Sequence, residues 1–331
     1  YPIYGTSIYV NSFKTEYIYV GVVKTPLMLT RKNYTISWED RPFATGYTVT
    51  ENGKSTTLPN TTLTYTLQNT YATHTEVTVE VVANFEKNQT TQAAQEKFNY
   101  GTLTFDAWNL DGATNKISAY TGVEFVEVGD GLTDTFFMVE YTGKNAPNFA
   151  VRATKGYDSI NIEDMQTDAY WHNPGMMMWN SYVDNHANGL EFSRGLCAAG
   201  GNIDRKVVMA ADEANAVGPG MDLMQDNTKY IMIVGYEVVA GSTTNEAKVS
   251  CWLFTVSEDN TVTKIFEKNQ IYGWSAHALT GTKAIIYPNV ATMSKEDGIT
   301  FTYYQAKATL AGVVNDSSSP DKADLKEILG V

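Results

Sequence analysis

Hydrophobic and polar positions alternate with a period of two along most of the chain. Runs such as "YTISWED", "EVTVEVVAN" and "KVSCWLFTV" place apolar residues at every second position, and Gly, Asn, Asp or Pro separates one run from the next. This period is that of a β-strand with one buried face, and the separating residues favour turns. The pattern therefore predicts an all-β protein.

Three short segments add detail to this pattern. "ENGK" (Glu51–Lys54) joins two alternating runs through Asn-Gly, which predicts a tight hairpin. Gln89–Phe98 permits one or two helical turns. Near the end of the chain, Ser319 as N-cap and Pro320 at the first helical position predict a short terminal helix. The apolar face of that helix comprises Leu325, Ile328 and Leu329.

Residues 26–95 carry a recognisable order of aromatic residues. Trp38 and Tyr47 lie on successive predicted strands, and Tyr71 leads into an alternating valine strand. This order resembles a fibronectin type III or Ig-like sandwich. The resemblance implies a small spacer or platform module, with the three aromatic side chains packed in its core.

Residues 96–316 hold enough strand signals for a two-sheet jelly roll. The run "TDTFFMVEYTGKNAPNFAVRA" resembles the first core strands of the concanavalin-like sandwiches found in carbohydrate-binding modules. Residues 1–25 contain two strand-like runs. In one alternative, these runs pair with the larger sandwich, and the smaller module is then an insertion in it. Residues 317–331 are the predicted C-terminal helix or linker. Together the two resemblances imply a bacterial extracellular multimodular surface protein.

The composition narrows the range of partners. The net charge of −13 disfavours nucleic acid and anionic membrane surfaces, whereas a neutral glycan is compatible with it. No apolar run reaches the length of a membrane span. The many tyrosines and few charges are typical of extracellular β proteins. We expect a secreted or surface-attached monomeric unit within a larger multidomain chain.

The two cysteines, Cys197 and Cys251, lie in apolar contexts and form no CxxC motif. They are either two buried thiols or one disulfide. The scarcity of cysteine in a chain of secreted type favours a bacterium that does not depend on disulfides.

The carboxylates are poorly spaced for catalysis. A retaining glycosidase needs two of them about 5 Å apart, but the spacing of Glu124 and Glu127 assigns them to opposite faces of a strand. "GWSAHA" lacks the second glycine of a nucleophile elbow, and no phosphate-binding loop occurs. We therefore expect no enzyme activity and no cofactor. Asp111, Asp130 and Asp134 lie in Asp-Gly-rich turns and are weak candidates for a structural calcium site.

Two aromatic clusters are the best candidates for binding chemistry. A pyranose ring needs an aromatic face and a rim of hydrogen-bonding side chains. The stretch 168–185 supplies both, as a loop "DAYWHN" feeding a strand "GMMMWNSYVDN", and "NQIYGWSAH" supplies a second cluster. The candidate ligand-binding residues are Tyr170, Trp171, His172, Asn173, Asn180, Asp184, Tyr272 and Trp274.

The sequence thus favours a bacterial surface protein that binds a polysaccharide without cleaving it. Starch is one such polysaccharide. The first alternative is an adhesin that binds a host protein or glycoprotein, because tyrosine, tryptophan and asparagine also dominate protein-binding surfaces. A glycoside hydrolase-like enzyme and a purely structural spacer are the further alternatives.

Overall fold

The computed structural model describes residues 25–105, 126–143, 148–153, 175–181, 189–195, 205–207, 225, 227–241, 246–273, 282–287, 299–316 and 318–331. They divide into two compact units, the first ending at Tyr100 and the second starting at Gly101. All pairs of described strands in both units are antiparallel. The alternating pattern of the sequence therefore led to the right fold class, since both units are built of β-sheets.

The described residues of the first unit form a three-stranded and a five-stranded sheet. The smaller sheet has the order β1 (Leu29–Lys32), β2 (Thr35–Trp38), β5 (Thr64–Thr66). The larger sheet contains β4 (Lys54–Pro59), β3 (Gly46–Glu51), β6 (Glu76–Phe85), β7 (Gln89–Thr90) and β8 (Ala94–Asn99). In it β4 is an edge strand beside β3, and both β7 and β8 pair with β6.

The predicted Asn-Gly hairpin is confirmed. Glu51 pairs with Lys54 across the β3–β4 turn. Asn52 and Gly53 have φ angles of 44° and 84°, the positive values that a two-residue type I′ turn requires. This turn fixes the register of β4, the edge strand.

The aromatic residues of the first unit are mostly core residues, as predicted. Trp38 from one sheet and Tyr47 from the other are buried, with ring centroids 5.4 Å apart. Tyr71 differs from the prediction because it precedes β6 by five residues and is only half-buried. Its hydroxyl donates a hydrogen bond to the carboxylate of Glu51 at 2.7 Å.

The prediction of helical turns in Gln89–Phe98 is wrong. A short 3₁₀ turn occupies Glu86–Asn88, and the following residues form β7 and β8. Ala94 and Phe98 are buried with exposed or half-buried residues between them. Pairing with β6 and burial of these two side chains outweigh the helix propensity of Ala, Gln, Glu and Lys.

In the second unit, the described strands form two six-stranded sheets. The first, here called the helix-side sheet, has the order β18 (Val262–Gly273), β17 (Glu246–Val256), β16 (Lys229–Val238), β11 (Thr135–Thr142), β20 (Ile299–Tyr303), β9 (Thr102–Phe105). The second, here called the opposite sheet, has the order β10 (Val126–Leu132), β19 (Thr282–Tyr287), β12 (Asn148–Ala153), β13 (Gly175–Ser181), β14 (Gly189–Gly195), β15 (Arg205–Val207).

The central strands of the helix-side sheet are buried on both faces. Helices α1 (Leu310–Val314) and α2 (Lys322–Leu329) cover one face, where Val313, Val314 and Leu325 join a buried cluster with strand residues such as Phe254. Strand residues whose side chains point to the other face of this sheet, such as Phe137 and Val139, are also buried. Ala284 and Ile286 of the opposite sheet are buried as well. This burial is that of a β-sandwich with a short C-terminal helix, as the sequence predicted.

The predicted start of the terminal helix needs a correction. Helix α2 begins at Lys322 with Asp321 at the N-cap position, two residues after Ser319. It ends at Leu329, and Gly330 is its C-cap residue with a φ of 68°. Ser319 is instead buried. Burial of Leu325 is confirmed, whereas Ile328 and Leu329 are partly buried against the same cluster.

Gly235 provides a packing prediction for the second unit. A Cβ at this position would lie 2.6 Å from Cε1 of Phe136, whose buried ring occupies the space over the glycine. We expect Gly235→Ala to lower the free energy of unfolding by about 1–3 kcal/mol through overpacking. Urea denaturation measures this change. Adding Phe136→Leu should recover part of the loss that Gly235→Ala causes, and a strictly additive double variant would contradict the account.

Candidate functional site

Most of the predicted ligand-binding residues lie outside the described residues. These are Tyr170, Trp171, His172, Asn173, Asp184 and Trp274. Asn180 lies within strand β13 and Tyr272 within strand β18. Strand β13 directly follows residues 168–174, and strand β18 ends directly before Trp274. The pairing registers of these two strands therefore show to which end of the sandwich each segment is attached.

A short turn joins the two sheets of the second unit. Strand β10 ends at Leu132 and β11 starts at Thr135. Asp134, in this turn, accepts a hydrogen bond from the backbone N–H of Val238 at 2.8 Å. The bond ties the turn to the last residue of β16. We call the end of the sandwich that contains Leu132, Thr135 and Val238 the turn end.

In the opposite sheet, β13 starts at the turn end. Leu132 pairs with Thr282 of β19, and Thr282 pairs with Ala153 of β12. The neighbouring residue Arg152 pairs with Gly175, the first residue of β13. The segment "DAYWHNP", which directly precedes Gly175 in the sequence, therefore leads into the turn end of an interior strand.

In the helix-side sheet, β18 finishes at the same end. Val238 pairs with Ala247 of β17, and the neighbouring Glu246 pairs with Gly273, the last residue of β18. Tyr272 pairs with Ala247. Trp274 directly follows Gly273 in the sequence. Residues 168–174 and the residues that follow Gly273, about a hundred residues apart, thus continue from strand ends at one end of the sandwich.

Asn180 does not belong to this end. It lies five residues along β13 from Gly175, which is about 17 Å at the usual rise of a strand. It pairs with Leu190, one residue before the end of the strand. The sequence groups Asn180 with Trp171 by residue type, because both lie in the stretch 168–185, and residue type carries no information about the distance between the two ends of a strand.

The calcium candidates are only partly covered by the structure. Asp111 lies outside the described residues, and Asp130 lies within β10. Asp134 caps the end of β16, as described above. Among the described residues, no group of three or more His, Cys, Asp or Glu side chains is arranged to hold a metal ion.

A cluster of ionisable groups lies towards the other end of the helix-side sheet. Lys229 Nζ is 3.3 Å from Glu140 Oε2 and 3.7 Å from Asp321 Oδ2, and the Tyr304 hydroxyl donates to Glu140. Burial raises the pKa of Asp321, Lys229 lowers it, and Glu140 raises it further. Because both carboxylates are buried on the helix-covered face, the cluster joins the C-terminal segment to the sheet.

Cys251 is a free, fully buried thiol on β17. Burial raises its pKa well above the ordinary value, so the group stays protonated and packs as a small apolar side chain. This agrees with the buried-thiol alternative for Cys251, while Cys197 lies outside the described residues.

No protein-family model and no curated protein matches the chain. A crystal structure of the Emp46p carbohydrate recognition domain in its potassium-bound form aligns with 61% of this chain and 96% of its own chain, at 10% identity and a TM-score of 0.25. A similarity of this size supports no conclusion about fold or function. None of the described helices has the length and apolarity needed to cross a bilayer.

Proposed function

We propose that the chain binds a neutral glycan, without cleaving it, at the turn end of the larger sandwich. The observation that carries this proposal is the pair of registers that start β13 and finish β18 at that end. Loops held by a rigid β-scaffold are common places for binding residues. Two aromatic-rich segments that continue from one end of a sandwich can contribute to one site.

The residue types of these segments suit a sugar. Trp171 and Trp274 offer aromatic faces for the C–H side of a pyranose ring, and Tyr170 and Tyr272 flank them in sequence. His172 and Asn173 offer donors and acceptors for ring hydroxyls. The net charge of −13 favours a neutral polysaccharide, for which starch is the first candidate. The proposal includes a secreted or surface-attached location, where such a polymer is accessible.

Native gel electrophoresis with polysaccharide in the gel tests this proposal. We expect at least one of soluble starch, xylan, mannan and mixed-linkage β-glucan to retard the chain. Trp171→Ala and Trp274→Ala should each weaken binding about tenfold, because loss of one stacked aromatic ring removes about 1–3 kcal/mol. Phe43→Ala is the matched control, since Phe43 is a highly exposed aromatic side chain of the other unit.

Three results would contradict the proposal in different ways. Unchanged retardation in both tryptophan variants would remove the site assignment. Release of reducing sugar from the retarding polysaccharide would show an enzyme. Retention of a serum protein by the immobilised chain, with no polysaccharide bound, would favour the adhesin alternative.

A further inference from the structure

A groove of about 540 Å³ lies in the first unit between strands β4 and β5. Lys54, Thr56 and Leu58 line it from β4, and Thr64 and Thr66 line it from β5. The β4 residues pair with Glu51, Val49 and Tyr47, which are buried, so they belong to the core-facing side of their sheet. Among the described strands, the smaller sheet ends at β5, and the groove lies where a fourth strand would pair with it.

Among the described residues, no strand pairs with the edge of β5 that faces the groove. The N–H of Trp38 donates to Leu63 O and the N–H of Leu67 donates to Tyr34 O, both at 3.0 Å. In an antiparallel ladder, residue pairs that exchange backbone hydrogen bonds alternate with pairs that do not. The two bonds above belong to pairs of the first kind, so Thr64 and Thr66 belong to pairs of the second kind. Their N–H and C=O groups therefore point away from β2. Gln68 Nε2 donates to the Thr66 carbonyl at 2.6 Å and occupies this acceptor.

One end of the groove is held rigid by the carboxylate of Glu51. This carboxylate accepts hydrogen bonds from the backbone N–H groups of Gln68 and Asn69, at 3.0 and 3.2 Å. It also accepts from Asn69 Nδ2 and from the hydroxyls of Tyr65 and Tyr71. The segment that carries Gln68 and Asn69 is thus fixed before any ligand arrives, which lowers the entropy cost of binding.

We infer that an extended polypeptide segment docks in this groove as an added strand beside β5. A peptide backbone matches the free N–H and C=O of Thr64 and the N–H of Thr66. Lys54, which has no carboxylate partner among the described residues, would pair with an acidic side chain of the incoming segment. The partner is therefore an extended segment with an acidic residue near one end, and β-branched residues favour that extended conformation.

Two-dimensional NMR of the full chain tests the inference. The probe is the acetylated, amidated peptide Glu-Thr-Val-Thr-Val, titrated to about 2 mM, where a weak strand addition is detectable. We expect saturable shifts of the amides of Thr64, Thr66 and Lys54. Absence of saturable shifts at these residues would overturn the inference, as would their saturation by maltoheptaose and not by the peptide.

Variants then separate strand addition from unspecific contact. Thr64→Pro removes an N–H that the β2–β5 ladder does not use, and it should weaken peptide binding at least tenfold. Thr57→Pro is the matched control. Thr57 pairs with Thr48 at a position where β3 and β4 exchange no backbone hydrogen bonds. This variant therefore also removes an N–H at a sheet edge, but outside the groove. Equal losses in the two proline variants would contradict docking beside β5.

Two further changes keep the test decisive if Thr64→Pro disturbs the fold. Thr56→Trp places a large side chain on the exposed strand β4 and should block the groove. Gln68→Ala releases the Thr66 carbonyl and should strengthen peptide binding several-fold. Unchanged affinity in Thr56→Trp, or weaker binding in Gln68→Ala, would overturn the inference.

Discussion

Replacing Glu51 with alanine is expected to lower the free energy of unfolding of the first unit by about 3 kcal/mol or more. The side chain is 1% exposed and accepts hydrogen bonds from Tyr65, Tyr71, Asn69 and the backbone of Gln68. Removing the carboxylate leaves several donors without an acceptor, and each buried one costs about 1–3 kcal/mol. Hydrogen exchange measured by mass spectrometry reports this loss within the first unit alone.

Glu96→Ala is the control for this experiment. Glu96 forms a surface ion pair with Arg31 at 3.3 Å, which is worth at most about 1 kcal/mol. Similar losses of protection in the two variants would contradict the role assigned to Glu51.

The same carboxylate gives a prediction for pH. Burial raises the pKa of Glu51, but the hydrogen bonds from Gln68, Tyr65, Tyr71 and Asn69 together outweigh it, so the pKa lies below the ordinary value of 4.5. The folded state therefore binds this proton less readily than the unfolded state. Stability from Glu51 is present above pH 4.5 and is lost as the pH falls through the lowered pKa. Glu51→Gln should therefore reduce the loss of stability that the protein shows as the pH falls below 4.5.

Replacing Leu325 with alanine is the second large effect, with an expected loss of about 2–5 kcal/mol in the second unit. Leu325 is fully buried in the cluster that α1 and α2 form with Phe254 and other residues of the helix-side sheet. A cavity there weakens the contact that covers one face of the sheet. Urea denaturation followed by tryptophan fluorescence, together with binding of a hydrophobic dye, measures the change.

Glu327→Ala is the matched control because Glu327 lies on the exposed side of the same helix. We expect its effect to stay within about 0.5 kcal/mol. If Leu325→Ala were equally mild, the terminal helix would be an appendage to the sandwich and not part of its core.

Local signals in the sequence were enough to predict the longer strands and the first hairpin. Asn52 and Gly53 adopt the positive φ angles that their residue types favour. Alternation predicted the burial of Trp38 and Tyr47. Gln89–Phe98 failed because its helix formers are held in a strand by β6, a long-range pairing that no local window contains.

The arrangement of the candidate site depends on pairing between distant strands. Sequence alone indicated two aromatic clusters, but not that Gly175 and Gly273 lie at one end of the sandwich. Nor did it indicate that Asn180 lies towards the other end. The sequence identifies Glu51 only as a residue of the hairpin turn. The groups that donate hydrogen bonds to its carboxylate come from β5 and from the loop that follows β5.

Isothermal titration calorimetry tests the central claim, that both aromatic clusters serve one glycan site, most directly. The titrant is an oligosaccharide of whichever polysaccharide retards the chain in the gel. We predict a stoichiometry of one for the wild type, and the same stoichiometry with about tenfold weaker affinity for Trp171→Ala and for Trp274→Ala. A stoichiometry of two that falls to one in each variant, or binding that neither variant changes, would contradict the claim.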